Sequence, residues 1–136
     1  MNKMQEQLRE WHKKFGHECN DAPTIPDEKV KRLRMRLIAE EQRELFTAIY
    51  EDDLIGIADG GADLLYVVIG TMVSYGIDVE KVFDEVHRSN MSKVWPDGTV
   101  HYDEGGKVMK PPSYSPADIA GVLFRPFQEE PEEQCR

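Results

Sequence analysis

The chain has 136 residues and a mass of 15.7 kDa, which is the size of one domain with a single hydrophobic core. It carries 26 acidic residues against 17 Lys and Arg, so its formal net charge is -9 and its isoelectric point about 4.9. A negative field of this size repels phosphodiester backbones and argues against a general nucleic-acid binder. Since 40% of the residues are hydrophobic, the chain has enough apolar surface for a core, which excludes wholesale disorder.

Cysteine usage and the N-terminal sequence predict a cytoplasmic protein. Cys19 and Cys135 lie near opposite ends and form neither a disulfide framework nor a CxxC metal pair. The first residues contain no apolar signal-peptide core. The longest apolar run, residues 64–73, is interrupted by Gly70 and Thr71. It is about half the ~20 residues that a membrane span needs.

Hydrophobic residues recur with the helical period in four segments, residues 2–15, 27–51, 54–75 and 79–93. Asp27 and Asp78 are expected N-caps, and Gly16 and Gly76 are expected C-terminal stops. These four helices predict a four-helix core bundle, so the predicted fold class is all-α.

After Trp95 the sequence changes character. Turn-forming residues flank a short alternating stretch, residues 99–102, which predicts a small hairpin or an ordered loop. Ser115 as N-cap followed by Pro116 predicts a short helix to about Leu123. We therefore expect one helical domain over residues 1–124, with residues 95–124 as its C-terminal appendage, and a disordered acidic tail over residues 125–136.

The second predicted helix places carboxylates in line with its apolar stripe. At about 100° per residue, the face that begins with Val30, Leu33 and Leu37 continues through three acids, Glu40, Glu41 and Glu44. A single ExxE pattern is usually a solvated face and is weak evidence by itself.

The next two predicted helices repeat this arrangement, which strengthens the pattern. Asp59 and Asp63 are four residues apart and share one face of a largely apolar helix. Buried carboxylates are costly unless they are paired or bind a cation. On the last long helix, Asn90 and Lys93 extend an apolar stripe, although they also fit a C-cap and a solvated end-of-helix cation.

Together these faces predict a pocket of carboxylates with one amide and one ammonium group. Carboxylate oxygens are the ligands that Mg²⁺ and Mn²⁺ prefer, and these cations retain waters for a phosphate substrate. A cluster of like charges is repulsive without a cation, which favours a metal site.

The ordered set of Glu40–Glu44, residues 59–66 (DGGADLLY) and residues 85–93 (EVHRSNMSK) resembles the MazG-like all-alpha nucleoside triphosphate pyrophosphohydrolases. This group includes phosphoribosyl-ATP pyrophosphohydrolase-like proteins and MazG-like dUTPases, and the similarity covers about residues 8–123. The resemblance implies Mg²⁺-dependent cleavage between the α- and β-phosphates of a (deoxy)nucleoside triphosphate. The products would be the monophosphate and pyrophosphate, and the role would be nucleotide-pool house-cleaning.

The resemblance also implies roles for individual residues. Glu41, Glu44 and Asp63 match metal ligands, with Mn²⁺ as the alternative metal, and Glu40 is the candidate for activating the attacking water. The family has a glutamate three residues before the aspartate, where this chain has Gly60. Asp59 is expected to replace that glutamate as a ligand, and two further residues, Asn90 and Lys93, match substrate-binding positions.

Alternatives remain open at this stage. A non-catalytic helical bundle that binds a nucleotide or a protein is favoured by Gly60. A di-iron bundle would need two Glu-x-x-His pairs, and the sequence offers only the run from Asp84 to His87, so this alternative is set aside. The helices are apolar on several sides, so we expect a homodimer, or else a tetramer.

The roles of several further residues stay open. The glycines of the third helix indicate either close helix contact or close approach of a nucleotide. Four residues either close over a ligand or pack: Trp95, His101, Tyr102 and Lys110.

Overall fold

The computed structural model of the protein describes residues 2–125, and these residues form five α-helices. They are α1 Lys3–Phe15, α2 Glu28–Tyr50, α3 Leu54–Tyr75, α4 Val79–Met91 and α5 Ile119–Phe124. Residues 2–125 contain no β-strand beyond one isolated antiparallel bridge, from Tyr102 to Val108. The predicted all-α fold class is confirmed, and the four long helices lie within two residues of their expected bounds.

Helix caps explain why the first three helices begin and end where they do. The side chains of Asn2 and Asp27 accept hydrogen bonds from the backbone amides of Gln5 and Val30, the third residues of α1 and α2. Gly76 ends α3 in the left-handed conformation, at φ 68°. A Cβ at Gly76 would also collide with the carbonyl oxygen of Ala22, so both the backbone conformation and the available space require glycine here.

The chain divides into two compact units, residues 1–79 and residues 80–136. In the first unit α3 packs against both α1 and α2, and the buried apolar cluster consists of Leu8, Ile69 and Val73. The side chain of Gln5 ties α1 to the end of this unit, donating to the carbonyl of Ile77 and accepting from the amide of Val79.

A polar pair is buried beside this core. Arg34 is 4% exposed and donates to the Val67 carbonyl at 3.0 Å and to the Thr71 hydroxyl at 3.1 Å. His12, also buried, donates from Nδ1 to the Glu18 carbonyl at 2.8 Å. These bonds satisfy groups that would otherwise be costly to bury.

Helix α3 is long and apolar enough to cross a membrane, with a mean hydropathy of 1.5 over its most apolar stretch. Length and composition alone do not separate a membrane span from the core helix of a soluble protein. Here α3 carries Asp59 and Asp63 and receives the buried side chain of Arg34.

In the second unit, α4 is joined to the segment before α5 by side-chain hydrogen bonds. Glu85 accepts from Arg88 at 2.8 Å and from the Asp118 amide at 2.9 Å. Ser115 was the expected N-cap of the short helix, but Asp118 caps α5 instead, accepting from the Gly121 amide. The assignment of Ser115 as the N-cap is therefore wrong: its carbonyl accepts from Ser89 of α4, and its amide donates to Ser92, just after α4. The tail predicted to be disordered lies, from residue 126 on, outside the described residues.

Candidate active site

Helices α2 and α3 run antiparallel and approach most closely along one line. A Cβ built on Gly56 would lie 3.1 Å from Ala48 Cβ, and one built on Gly60 would lie 3.2 Å from Leu45 Cα. Further along, Arg34 reaches Val67. Along this contact, residue numbers decrease on α2 while they increase on α3. Glu41 and Asp63 therefore lie on neighbouring turns of the two helices.

Glu41 is the carboxylate that this register places among other acids. Its pKa is raised, first by burial, then by the charges of Glu44 and Asp63, by a hydrogen bond with Glu44 and by the charge of Glu40. One of its oxygens, Oε2, is buried without a hydrogen-bond partner among the described residues. An orphaned anionic oxygen surrounded by like charges is unfavourable, and a bound cation would relieve both costs.

Glu44 and Asp59 line one cleft between α2 and α3. The cleft has a volume of about 340 Å³, and Gly60 also lines it. Three further charged residues line it that the sequence patterns did not single out: Arg43, Glu51 and Asp53. Asp53 was missed because it lies in the turn between the helices, where it acts as the N-cap of α3.

Glu40 lies next to Glu41 but faces solvent. Its carboxylate is exposed and is 4.0 Å from Arg36 one turn earlier, a separation typical of a weak surface ion pair. It contributes to the negative potential at Glu41 while remaining accessible to water.

Gly60 does not occupy a ligand position on an open face. It is buried against the backbone of Leu45, and a side chain there would force the two helices apart by a few tenths of an ångström. Gly70 likewise allows Arg34 and His12 to approach, since an added Cβ would be 2.8 Å from each. At these two positions close contact within the first unit explains the glycine, whereas Gly61 faces open space.

The carboxylates near Glu41 suit a hard divalent cation, although their side chains do not yet converge on one point. Among residues 2–125, no three His, Cys, Asp or Glu side chains converge closely enough to hold a metal ion. The residues that do lie together supply only carboxylate oxygens, which is the chemistry of Mg²⁺ and Mn²⁺ sites. Glu44 and Asp63 act directly on Glu41, whereas Asp59 shares a cleft with Glu44.

The predicted substrate-binding residues lie on the second unit. Asn90 is exposed near the end of α4, and Lys93 follows α4, half-buried. Lys93 lies within electrostatic range of Tyr114, whose pKa is lowered by a hydrogen bond with Ser89 and by the charges of Lys110, Lys93 and Arg88. No periodic pattern marks Lys110, because it lies in an irregular segment.

Comparison with known proteins agrees with the helical architecture and the carboxylate pattern. The family model of phosphoribosyl-ATP pyrophosphohydrolase matches residues 8–90. An uncharacterized protein of Acanthamoeba polyphaga mimivirus is 39% identical over 75 residues. That match covers 52% of this chain and 30% of the viral protein.

Proposed function

Because this chain belongs to the phosphoribosyl-ATP pyrophosphohydrolase family, a family of divalent-metal-dependent enzymes, we propose that it hydrolyses a (deoxy)nucleoside triphosphate between the α- and β-phosphates. The family supports a nucleotide pyrophosphohydrolase activity in general. The triphosphate substrate, with dUTP-like or broader dNTP specificity and a house-cleaning role, is our proposal.

The observation that carries this proposal is the environment of Glu41. Its buried, unpartnered oxygen is held among Glu44, Asp63 and Glu40 at the antiparallel contact of two helices. An arrangement that only stabilised the fold would pair such a carboxylate with a cationic side chain. Among the described residues, no ion pair involves Glu41, Glu44 or Asp63.

Each carboxylate has a role in the proposed reaction. Glu41, Glu44, Asp63 and Asp59 would hold Mg²⁺, or Mn²⁺, which when bound neutralises phosphate charge and acidifies water. Glu40, accessible to solvent, would accept a proton from the water that attacks the α-phosphorus. The bond between the α-phosphorus and the bridging oxygen breaks, and pyrophosphate leaves with that oxygen.

On the second unit, Asn90 and Lys93 would bind the nucleotide. The Asn90 amide offers both a donor and an acceptor, and the Lys93 ammonium complements phosphate charge. Cation-mediated binding allows a protein with a net charge of -9 to accept a polyanionic substrate.

We also propose a cytoplasmic homodimer, with a tetramer as the alternative. Large apolar side chains near the turn between α2 and α3 are exposed: Tyr50 is 90% exposed, Leu54 78% and Ile55 84%. Exposed apolar clusters of this kind mark association surfaces. Light scattering should give a dimer mass for the wild type and a smaller mass for Ile55→Glu. A monomeric wild type at micromolar concentration would contradict the assembly.

A substrate screen tests the proposed activity. Purified protein is incubated with common and damaged nucleoside triphosphates, and with phosphoribosyl-ATP, in Mg²⁺ or Mn²⁺, and released pyrophosphate is measured. We expect turnover of at least one (deoxy)nucleoside triphosphate. Turnover of phosphoribosyl-ATP alone would contradict the proposed substrate class, and no turnover by folded protein would favour the non-catalytic nucleotide- or protein-binding bundle.

A further inference from the structure

Two lysines of the second unit act on Tyr114, Lys110 through a direct contact and Lys93 through its charge. The ammonium of Lys110 lies over the ring of Tyr114, 4.8 Å from its centroid. Lys93 lies two residues beyond the end of α4, and its charge also acts on the Tyr114 phenol. Neither lysine is in an ion pair with any residue of the described part of the chain.

Tyr114 is held in place by α4, so it is a fixed support for Lys110. Its hydroxyl is 3.1 Å from the Ser89 hydroxyl, and Ser89 is buried. Ser89 also donates to the carbonyl of the next residue, Ser115, at 2.8 Å, and Ser92 accepts from the Ser115 amide at 2.8 Å. These bonds fix the segment that carries Tyr114 to the helix that precedes Lys93.

The third cation near Tyr114 is already neutralised. Arg88 makes a two-pronged contact with Glu85, at 3.0 and 2.8 Å. Its remaining donors bond the hydroxyl of Ser115 and the carbonyl of Pro116. Arg88 is therefore structural, and the uncompensated positive charge belongs to Lys93 and Lys110.

We infer that Lys110 is a second phosphate-binding residue, which acts with Lys93 on the polyphosphate of the nucleotide. The inference rests on the proposed function for the identity of the ligand. Lys110 contacts the Tyr114 ring, Lys93 acts on the same residue, and neither is in an ion pair within the described part of the chain, so both ammonium charges are available to an anion with several negative charges. The cation–π contact keeps the flexible Lys110 side chain close to this position before the ligand arrives.

Binding of inorganic pyrophosphate with Mg²⁺, measured by calorimetry on the full chain, tests this inference independently of turnover. Lys110→Gln should weaken binding about tenfold, the loss expected for one charge-assisted contact. Lys110→Arg should restore most of it. Lys107→Gln is the matched control, since Lys107 is exposed in the same segment and only its backbone is in a described contact.

The outcomes separate the two proposals. Equal affinities for Lys110→Gln and Lys107→Gln, or no pyrophosphate binding by the wild type, would overturn the role of Lys110 even if the enzyme hydrolyses nucleotides. Lys110-dependent binding by a protein that turns over no triphosphate would support the phosphate site and contradict the proposed activity. In an active enzyme, Lys110→Gln should raise KM about tenfold with little change in kcat.

Discussion

Gly60 of α3 lies against the backbone of Leu45 in α2, so close that an added Cβ would be 3.2 Å from the Leu45 Cα. Leu45 directly follows Glu44 on α2, and Gly60 directly follows Asp59 on α3, one turn before Asp63. Close approach of the two backbones brings the acids of one helix towards those of the other. The glycine therefore has a structural role in the site, at a position where the family's own pattern has a carboxylate.

Alanine at position 60 should separate these helices, whereas alanine at position 61 should not. Gly60→Ala crowds Leu45, and overpacking of this kind costs about 1–3 kcal/mol. Gly61→Ala faces open space and should gain up to about 1 kcal/mol from helix propensity. Urea denaturation gives both free energies of unfolding. A Gly60→Ala variant as stable as Gly61→Ala would show that the contact is not tight.

Removing the charge of Glu41 should increase stability while abolishing activity. Burial, and then repulsion from Glu44 and Asp63, raises the Glu41 pKa, and Glu41→Gln removes both costs of the charge, so we expect a higher Tm without divalent cations. Loss of a metal ligand should reduce pyrophosphate release by a factor of at least ~10². Added Mn²⁺ should raise the Tm of the wild type and of the surface control Glu10→Gln much more than that of Glu41→Gln. An unchanged Mn²⁺ response would remove Glu41 from the site.

His12 should make the first unit less stable as the pH falls below about 6.5. Burial, and then the charges of Arg34 and His17, lower its pKa against the opposing effect of the Glu18 carbonyl. The unfolded chain therefore takes up a proton at its ordinary pKa of 6.5, before the folded protein does, and stability is lost as pH falls from that value towards the lowered folded pKa.

The slope from one such group is at most about 1.4 kcal/mol per pH unit. His12→Asn can still donate to the Glu18 carbonyl but does not titrate, so its stability should depend less on pH between 7 and 5. Unfolding free energies at several pH values measure this slope. His87→Asn, at an exposed position, should keep the wild-type slope, and a His12→Asn slope equal to it would contradict the prediction.

Glu85 should remain ionised far into the acid range. Hydrogen bonds from Arg88 and from the Asp118 backbone lower its pKa to about 2. The stabilisation from this contact is present above the ordinary glutamate pKa of 4.5 and is lost as pH falls towards 2. An NMR titration of the Glu85 carboxyl carbon measures the midpoint directly. A midpoint at or above 4.5 would mean that the contact between α4 and the start of α5 does not form in solution.

The sequence predicted the helices well because their signals are local. Asp27 and Gly76 cap helices by hydrogen bonds within a few residues. The helical periodicity of hydrophobic residues, ended by Gly76, predicted the bounds of α3 correctly. Ser115 was misassigned because its backbone is used by Ser89 and Ser92, which are distant in sequence. The reason for Gly60 and the position of Lys110 over Tyr114 also depend on tertiary contacts that no single-helix pattern contains.

The most direct measurement of the central claim is the initial rate of pyrophosphate release by Glu44→Gln and Asp63→Asn at saturating Mg²⁺, with a substrate identified by the screen. These variants each remove one carboxylate charge, on α2 and α3 respectively, and circular dichroism would confirm that the helices persist. Our account predicts that both lose at least ~99% of the wild-type rate, while Glu10→Gln retains it. Full activity in either variant would contradict a shared metal site between the two helices.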